Sequence, residues 1–125
     1  MRRLLFVLAV LALAFEPEVK ASCSRDDSPG AFDFEAITVS NASIGFTAAK
    51  IIPATGQVAF AAYCVLQTNP INFRTDGGAP TAAVGGGLAV AAAQTVEVCG
   101  NKNVENFRAI RTGAADGTLS CLYFR

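Results

Sequence analysis

From residue 32 onward, short apolar runs alternate with clusters of Gly, Pro, Asn, Asp and Ser. That punctuation predicts an all-β domain, a single antiparallel β-sandwich or jelly roll. The first predicted strand is Phe32 to Ser40. Phe32, Phe34 and Ala36 share one face and Ile37 and Val39 the other, a change of phase that implies a bulge or twist in mid-strand. Short strands follow at Ser43–Phe46 and Lys50–Ile52, the second stopped by Pro53 and by Thr55-Gly56. Gln57 to Thr68 is the longest run and is apolar on both faces, which predicts a central strand covered on both sides. Ile71–Arg74, Leu88–Ala92, Thr95–Val98, Phe107–Arg111 and Thr118–Arg125 complete a set of seven to nine strands. No segment carries a sustained helical stripe, and no internal repeat is visible.

The N-terminus breaks this pattern. Arg2 and Arg3 precede an uncharged apolar run from Leu4 to Phe15. The run is short of the roughly twenty residues of a membrane-spanning helix. A basic start, a short apolar core and the exit Val19-Lys20-Ala21 predict a secretory signal peptide over residues 1–21, cut after Ala21. Residues 22–31 form a polar arm and residues 32–125 the β-domain. Beyond the signal, no membrane segment is expected. The apolar stretch Ala82 to Ala93 is too short and too rich in glycine, and its glycines suit a tight bend or close approach to another chain.

After residue 21 the chain holds seven basic and eight acidic residues, a net of −1. So near-neutral a balance gives no electrostatic case for nucleic acid. All four cysteines, Cys23, Cys64, Cys99 and Cys121, follow the leader. An even count in an exported chain predicts two disulfides. Three pairings are open, with a slight preference for Cys64 with Cys121 because both lie in strand-like runs. No two cysteines are close in sequence and there is no His, so no metal site is expected.

The lack of His also removes the commonest general base and the Ser-His and Cys-His nucleophile systems. Asp26-Asp27 lies in the polar arm. Asp33 and Glu35 share one strand face, away from Phe32 and Phe34, rather than spanning a cleft as a glycosidase pair would. No glycine loop has the spacing of a nucleotide site. The reading is a protein with no catalytic residues and no cofactor.

Two segments remain as candidate interaction loops. In the first, Asn69 to Thr81, Arg74 and Asp76 flank a bend that contains Gly77 and leads to Pro80. Here Arg74 either pairs with Asp76 across the turn or the loop meets a neighbour. In the second, Asn106 to Gly113, Arg108 and Arg111 are either solvated edge charges or a pair able to clamp Asp76 or a partner carboxylate.

These segments form an ordered series: a long apolar strand, Asn69-Pro70-Ile71-Asn72-Phe73-Arg74, Asp76-Gly77, Ala79-Pro80-Thr81, a glycine stretch, Phe107-Arg108-Ala109-Ile110-Arg111-Thr112-Gly113, and Leu122-Tyr123-Phe124-Arg125. The series, over Ala48 to Arg125, resembles a family of small phage-encoded virion structural proteins. The chain differs from that pattern in its leader and its four cysteines. The resemblance implies a β-sandwich that assembles with copies of itself or with a capsid or tail protein. The expected function is therefore a structural or assembly domain of the decoration or head/tail accessory type, exported or in a virion. The alternative is a secreted or surface-exposed binding module for a glycan or a host protein.

Overall fold

The computed structural model describes Cys23, residues 30–54 and residues 56–125. The expected leader over residues 1–21 and most of the arm over 22–31 lie outside the described residues. Among the described residues seven strands and two short helices follow one another as β1 (Ala31–Val39), α1 (Ala48–Ile51), β2 (Ala61–Leu66), β3 (Ile71–Arg74), β4 (Leu88–Val90), β5 (Thr95–Cys99), α2 (Asn101–Asn106), β6 (Arg108–Arg111) and β7 (Gly117–Phe124). They build two antiparallel sheets, one in the order β1-β7-β2-β5 and one in the order β4-β3-β6. The domain is an all-β, sandwich-like fold.

Alternation decides what each sheet buries. Leu119, Cys121 and Tyr123 of β7, Ala62, Cys64 and Leu66 of β2, and Val96 and Val98 of β5 all point inward. Ile71 of β3, Val90 of β4 and Ala109 of β6 close the core from the smaller sheet. Aromatic rings join the two sheets. Phe107 stacks on Phe46 with ring centroids 4.1 Å apart, Tyr123 meets Phe46 edge-on at 5.3 Å, and Phe73 lies 5.7 Å from Phe107.

All four cysteines are paired, Cys23 with Cys99 and Cys64 with Cys121. Cys64 and Cys121 face each other on adjacent strands. The Gln67 N–H donates to the Thr118 carbonyl at 2.8 Å. Counting back from that hydrogen-bonded pair makes Cys64/Cys121 a non-hydrogen-bonded pair, the kind whose Cα atoms approach most closely. Their separation is 4.1 Å.

Four expectations need correction. Lys50–Ile52 is not a strand, since Ala48–Ile51 form the one turn of α1. Ser43–Phe46 contributes only a bridge between Ile44 and Ala109. Residues 101–106, where the sequence carries no helical stripe, are the short helix α2, whose first residue is tied to the body of the fold by Asn101 Nδ2 donating to the Val58 carbonyl at 2.7 Å. Within the long run Gln57–Thr68 the regular strand is only Ala61–Leu66, and before it the Ala59 N–H turns aside to the Ile51 carbonyl. Its strand is central in its sheet, but Tyr63 and Val65 on the outer face are only half-buried.

Candidate functional site

The loop between β3 and β4 folds back over the outer face of the smaller sheet. Asn72 draws it there. This side chain is 4% exposed, and its Nδ2 donates to the Thr81 carbonyl at 2.8 Å and to the Ala83 carbonyl at 3.1 Å. The loop closes on itself through Thr81 N–H to the Gly86 carbonyl and Gly86 N–H to the Ala83 carbonyl, both at 2.9 Å. Asn72→Ala should lower stability by about 1–2 kcal/mol, because two carbonyls lose their only side-chain donor. Limited proteolysis should then cut faster between residues 79 and 87, and an unchanged cutting rate would count against Asn72 as the anchor.

At the loop's start, Arg74 grips Asp76. Arg74 Nε donates to Asp76 Oδ1 at 2.9 Å, its Nη2 donates to Oδ2, and the Gly78 N–H donates to Oδ1 at 3.1 Å. These donors, the Arg74 guanidinium first, hold the Asp76 carboxyl at about 2, below the usual carboxylate range. A Cβ at Gly78 would lie 2.6 Å from Arg74 Cζ, so the bare backbone lies against the guanidinium. Gly77 has φ +84°, a conformation that suits glycine. Pro80 is buried.

The arginines of β6 do not join this group as a pair. β6 runs in regular register with β3, so Arg108 and Arg111, three residues apart, point to opposite faces. Arg108 lies opposite Arg74 and is exposed. Arg111 turns away and donates from Nη1 to Asp116 Oδ1 at 2.5 Å. Among the described residues Arg74 is therefore the one arginine that clamps Asp76, and the candidate residues divide into a turn lock (Arg74, Asp76, Gly77, Pro80), an exposed Arg108 and a separate Arg111–Asp116 pair.

Beside the lock lies an open depression of about 540 Å3, lined by Arg74, Ala79, Thr81, Gly85, Gly86, Gly87 and Leu88. Its lining offers one hydroxyl and no carboxylate, and its single cation already faces Asp76. Two of the three glycines of its wall, Gly86 and Gly87, serve the chain's own packing. A Cβ at Gly87 would lie 2.9 Å from the Phe73 carbonyl oxygen, and one at Gly86 would overlap Thr81. Among the described residues no group of His, Cys, Asp and Glu is arranged to hold a metal ion, and no helix is long and apolar enough to cross a membrane.

A second polar cluster sits at the edge of the larger sheet. Asp33 and Glu35 share the inward parity of Ile37 and Val39. Glu35 Oε1 accepts hydrogen bonds from the Tyr123 hydroxyl and from the Thr47 N–H, the latter at 3.0 Å. Asp33 Oδ1 accepts from the Phe34 N–H at 2.8 Å and from Lys50 Nζ at 3.0 Å. Those two donors, the Phe34 N–H first, lower the Asp33 carboxyl. Tyr123 is fully buried, and burial together with the Glu35 carboxylate pushes its phenol well up. Through Thr47 to Glu35 and Lys50 to Asp33, the cluster fastens α1 to the sheet. The sequence signal for it was parity: Asp33, Glu35, Ile37 and Val39 alternate on one face.

An apolar cluster lies elsewhere, on the outer face of the larger sheet. Phe34 (51% exposed) lies directly opposite Leu122 (37% exposed), which in turn lies opposite Tyr63. Val65 flanks Tyr63, and Glu97 on the β5 edge is the only charged strand residue of this face among the described residues. Compared with protein-family models, with curated proteins and with solved structures, the chain matches none.

Proposed function

We propose that this chain is an exported, non-enzymatic β-domain that works by assembling with copies of itself, in the manner of the virion accessory proteins it resembles. The observation that carries this reading is the apolar outer face centred on Phe34, Leu122 and Tyr63. Four strands about 4.8 Å apart, each with about six residues at about 3.4 Å, present on the order of 400 Å2 of flat area. Thr38, Thr118, Ser120 and Thr95 make part of that area polar, and Phe34, Leu122, Tyr63 and Val65 form the apolar cluster within it, a feature that often marks a contact site. Its near absence of charge suits a second copy, because a two-fold contact lays the same patch on itself and residues near the axis meet their own counterparts. Two disulfides and a predicted leader support an oxidising, exported location.

The test is sedimentation equilibrium of the secreted domain into the high micromolar range. The wild type is expected to associate. Leu122→Glu should weaken that association by about tenfold or more while leaving the melting temperature nearly unchanged, since the side chain is outside the core. A strictly monomeric wild type would overturn the reading.

A second reading, a surface module for a glycan or host protein, draws on the open depression beside Arg74. It predicts a monomer that binds through the β3–β4 loop. Tyr123 is buried, so of the two tyrosines only Tyr63 remains for stacking on a sugar.

A further inference from the structure

We propose that the open edge of β4 pairs with β4 of a second copy, antiparallel, about a two-fold axis at Ala89. The two sheets have four edge strands, and proteins ordinarily protect such edges with charge, proline, bulges or a covering segment. Three of the four are protected. β1 has a bulge between Ala31 and Asp33 and is covered by α1 through Thr47 and Lys50. β5 carries Glu97 at its centre and is bridged at Cys99 to Cys23. β6 is paired by Ile44 and by the Ser40 carbonyl, which accepts the Arg111 N–H.

β4 has none of these devices. Leu88, Ala89 and Val90 include no charge and no proline, and their register against β3 is regular. Among the described residues no other segment hydrogen-bonds to the outer side of β4. Leu88 is 62% exposed and Val84, at the tip of the neighbouring loop, is wholly exposed.

A second copy fits this edge for three reasons. Between Asp76 and Glu97 no residue is charged, so a two-fold contact brings no like charges together. With Ala89 opposite its own counterpart, a small side chain lies at the axis and the backbones can approach. Leu88 then lies beside Val90 of the second copy, on the face that continues the core. The result is a six-stranded sheet, β6-β3-β4 continued by its symmetry mate. A three-residue strand offers few hydrogen bonds, so this contact alone is weak.

The inference rests on the assembling function proposed above and adds a second contact to it. Two different two-fold contacts on one chain close into a dihedral assembly when their axes intersect at a suitable angle, a tetramer at right angles, and build an open chain when the axes do not meet.

The test is hydrogen exchange of the Leu88–Val90 amides over a dilution series of the wild type, with sedimentation recorded on the same samples. Protection at these amides should rise with concentration, and Leu88→Lys, a change at an exposed side chain, should abolish the rise with the melting temperature kept. Association without any concentration-dependent protection at residues 88–90 would overturn the edge contact and leave the assembling function standing. A wild type that stays monomeric would overturn both. The wild-type series decides the matter even where the lysine variant fails to fold.

Discussion

Replacing Cys64 and Cys121 together by alanine is expected to lower the unfolding free energy by about 4 kcal/mol or more. The bridge spans 57 residues of sequence, and the chain-entropy relation for a loop of that size gives about 4 kcal/mol of constraint on the unfolded chain. Packing adds to it. Both residues are fully buried between Leu119 and Tyr123 on one strand and Ala62 and Leu66 on the other. Two alanines would leave small voids where sulfur atoms had filled the inner face. Against a total stability of about 5–15 kcal/mol for a domain, this is a large fraction.

The second bridge provides the comparison. Cys23–Cys99 spans a longer stretch, 76 residues, so loop length alone would make it at least as stabilising. Cys99 is exposed, however, and its removal opens no cavity. The Cys64/Cys121 variant should therefore lose more than a Cys23/Cys99 double-serine variant. Guanidinium titration checks this, and the slope should steepen slightly in both variants as the unfolded chain expands. A loss below about 1 kcal/mol in the Cys64/Cys121 variant would mean that the bridge contributes nothing to the native register.

The preference for pairing Cys64 with Cys121 could be read from the sequence, because both lie in strong apolar runs. Their adjacency could not, since it depends on β7 passing between β1 and β2. The same division holds elsewhere. Ile71–Arg74 was legible to the residue because Pro70 and the Thr75-Asp76-Gly77-Gly78 turn bound it. The two helices were not, because four and six residues are too few for a 3.6-residue period to show. Arg74 and Asp76 are two positions apart across a bend, so their ion pair is local and readable. Glu35 and Tyr123 are 88 positions apart and meet only because β1 and β7 are neighbours. The apolar outer face is likewise a product of sheet order. Phe34, Leu122 and Tyr63 come from three separate segments, each of which reads alone as ordinary alternation.

The buried tyrosine gives the second large effect. Tyr123 keeps its proton in the folded state at a pH where an unfolded tyrosine, with its pKa of about 10, has lost it. Stability from this group is complete below about pH 10 and falls as pH rises further, because the folded state then holds a proton that the unfolded state has released. The limiting slope for one such group is about 1.4 kcal/mol per pH unit. Tyr123→Phe should abolish that slope. At neutral pH it should cost about 1–2 kcal/mol, since Glu35 loses its hydroxyl donor and keeps only the Thr47 N–H. Burial is the first cause of the shift and the Glu35 carboxylate the second, so Glu35→Gln should retain the alkaline fall that Tyr123→Phe removes. Urea titrations between pH 9 and 11.5 separate the two variants. If the phenylalanine variant kept the wild-type slope, the alkaline loss would belong to another group, and the hydroxyl would not be what holds β7 to Glu35 and, through Thr47, to α1.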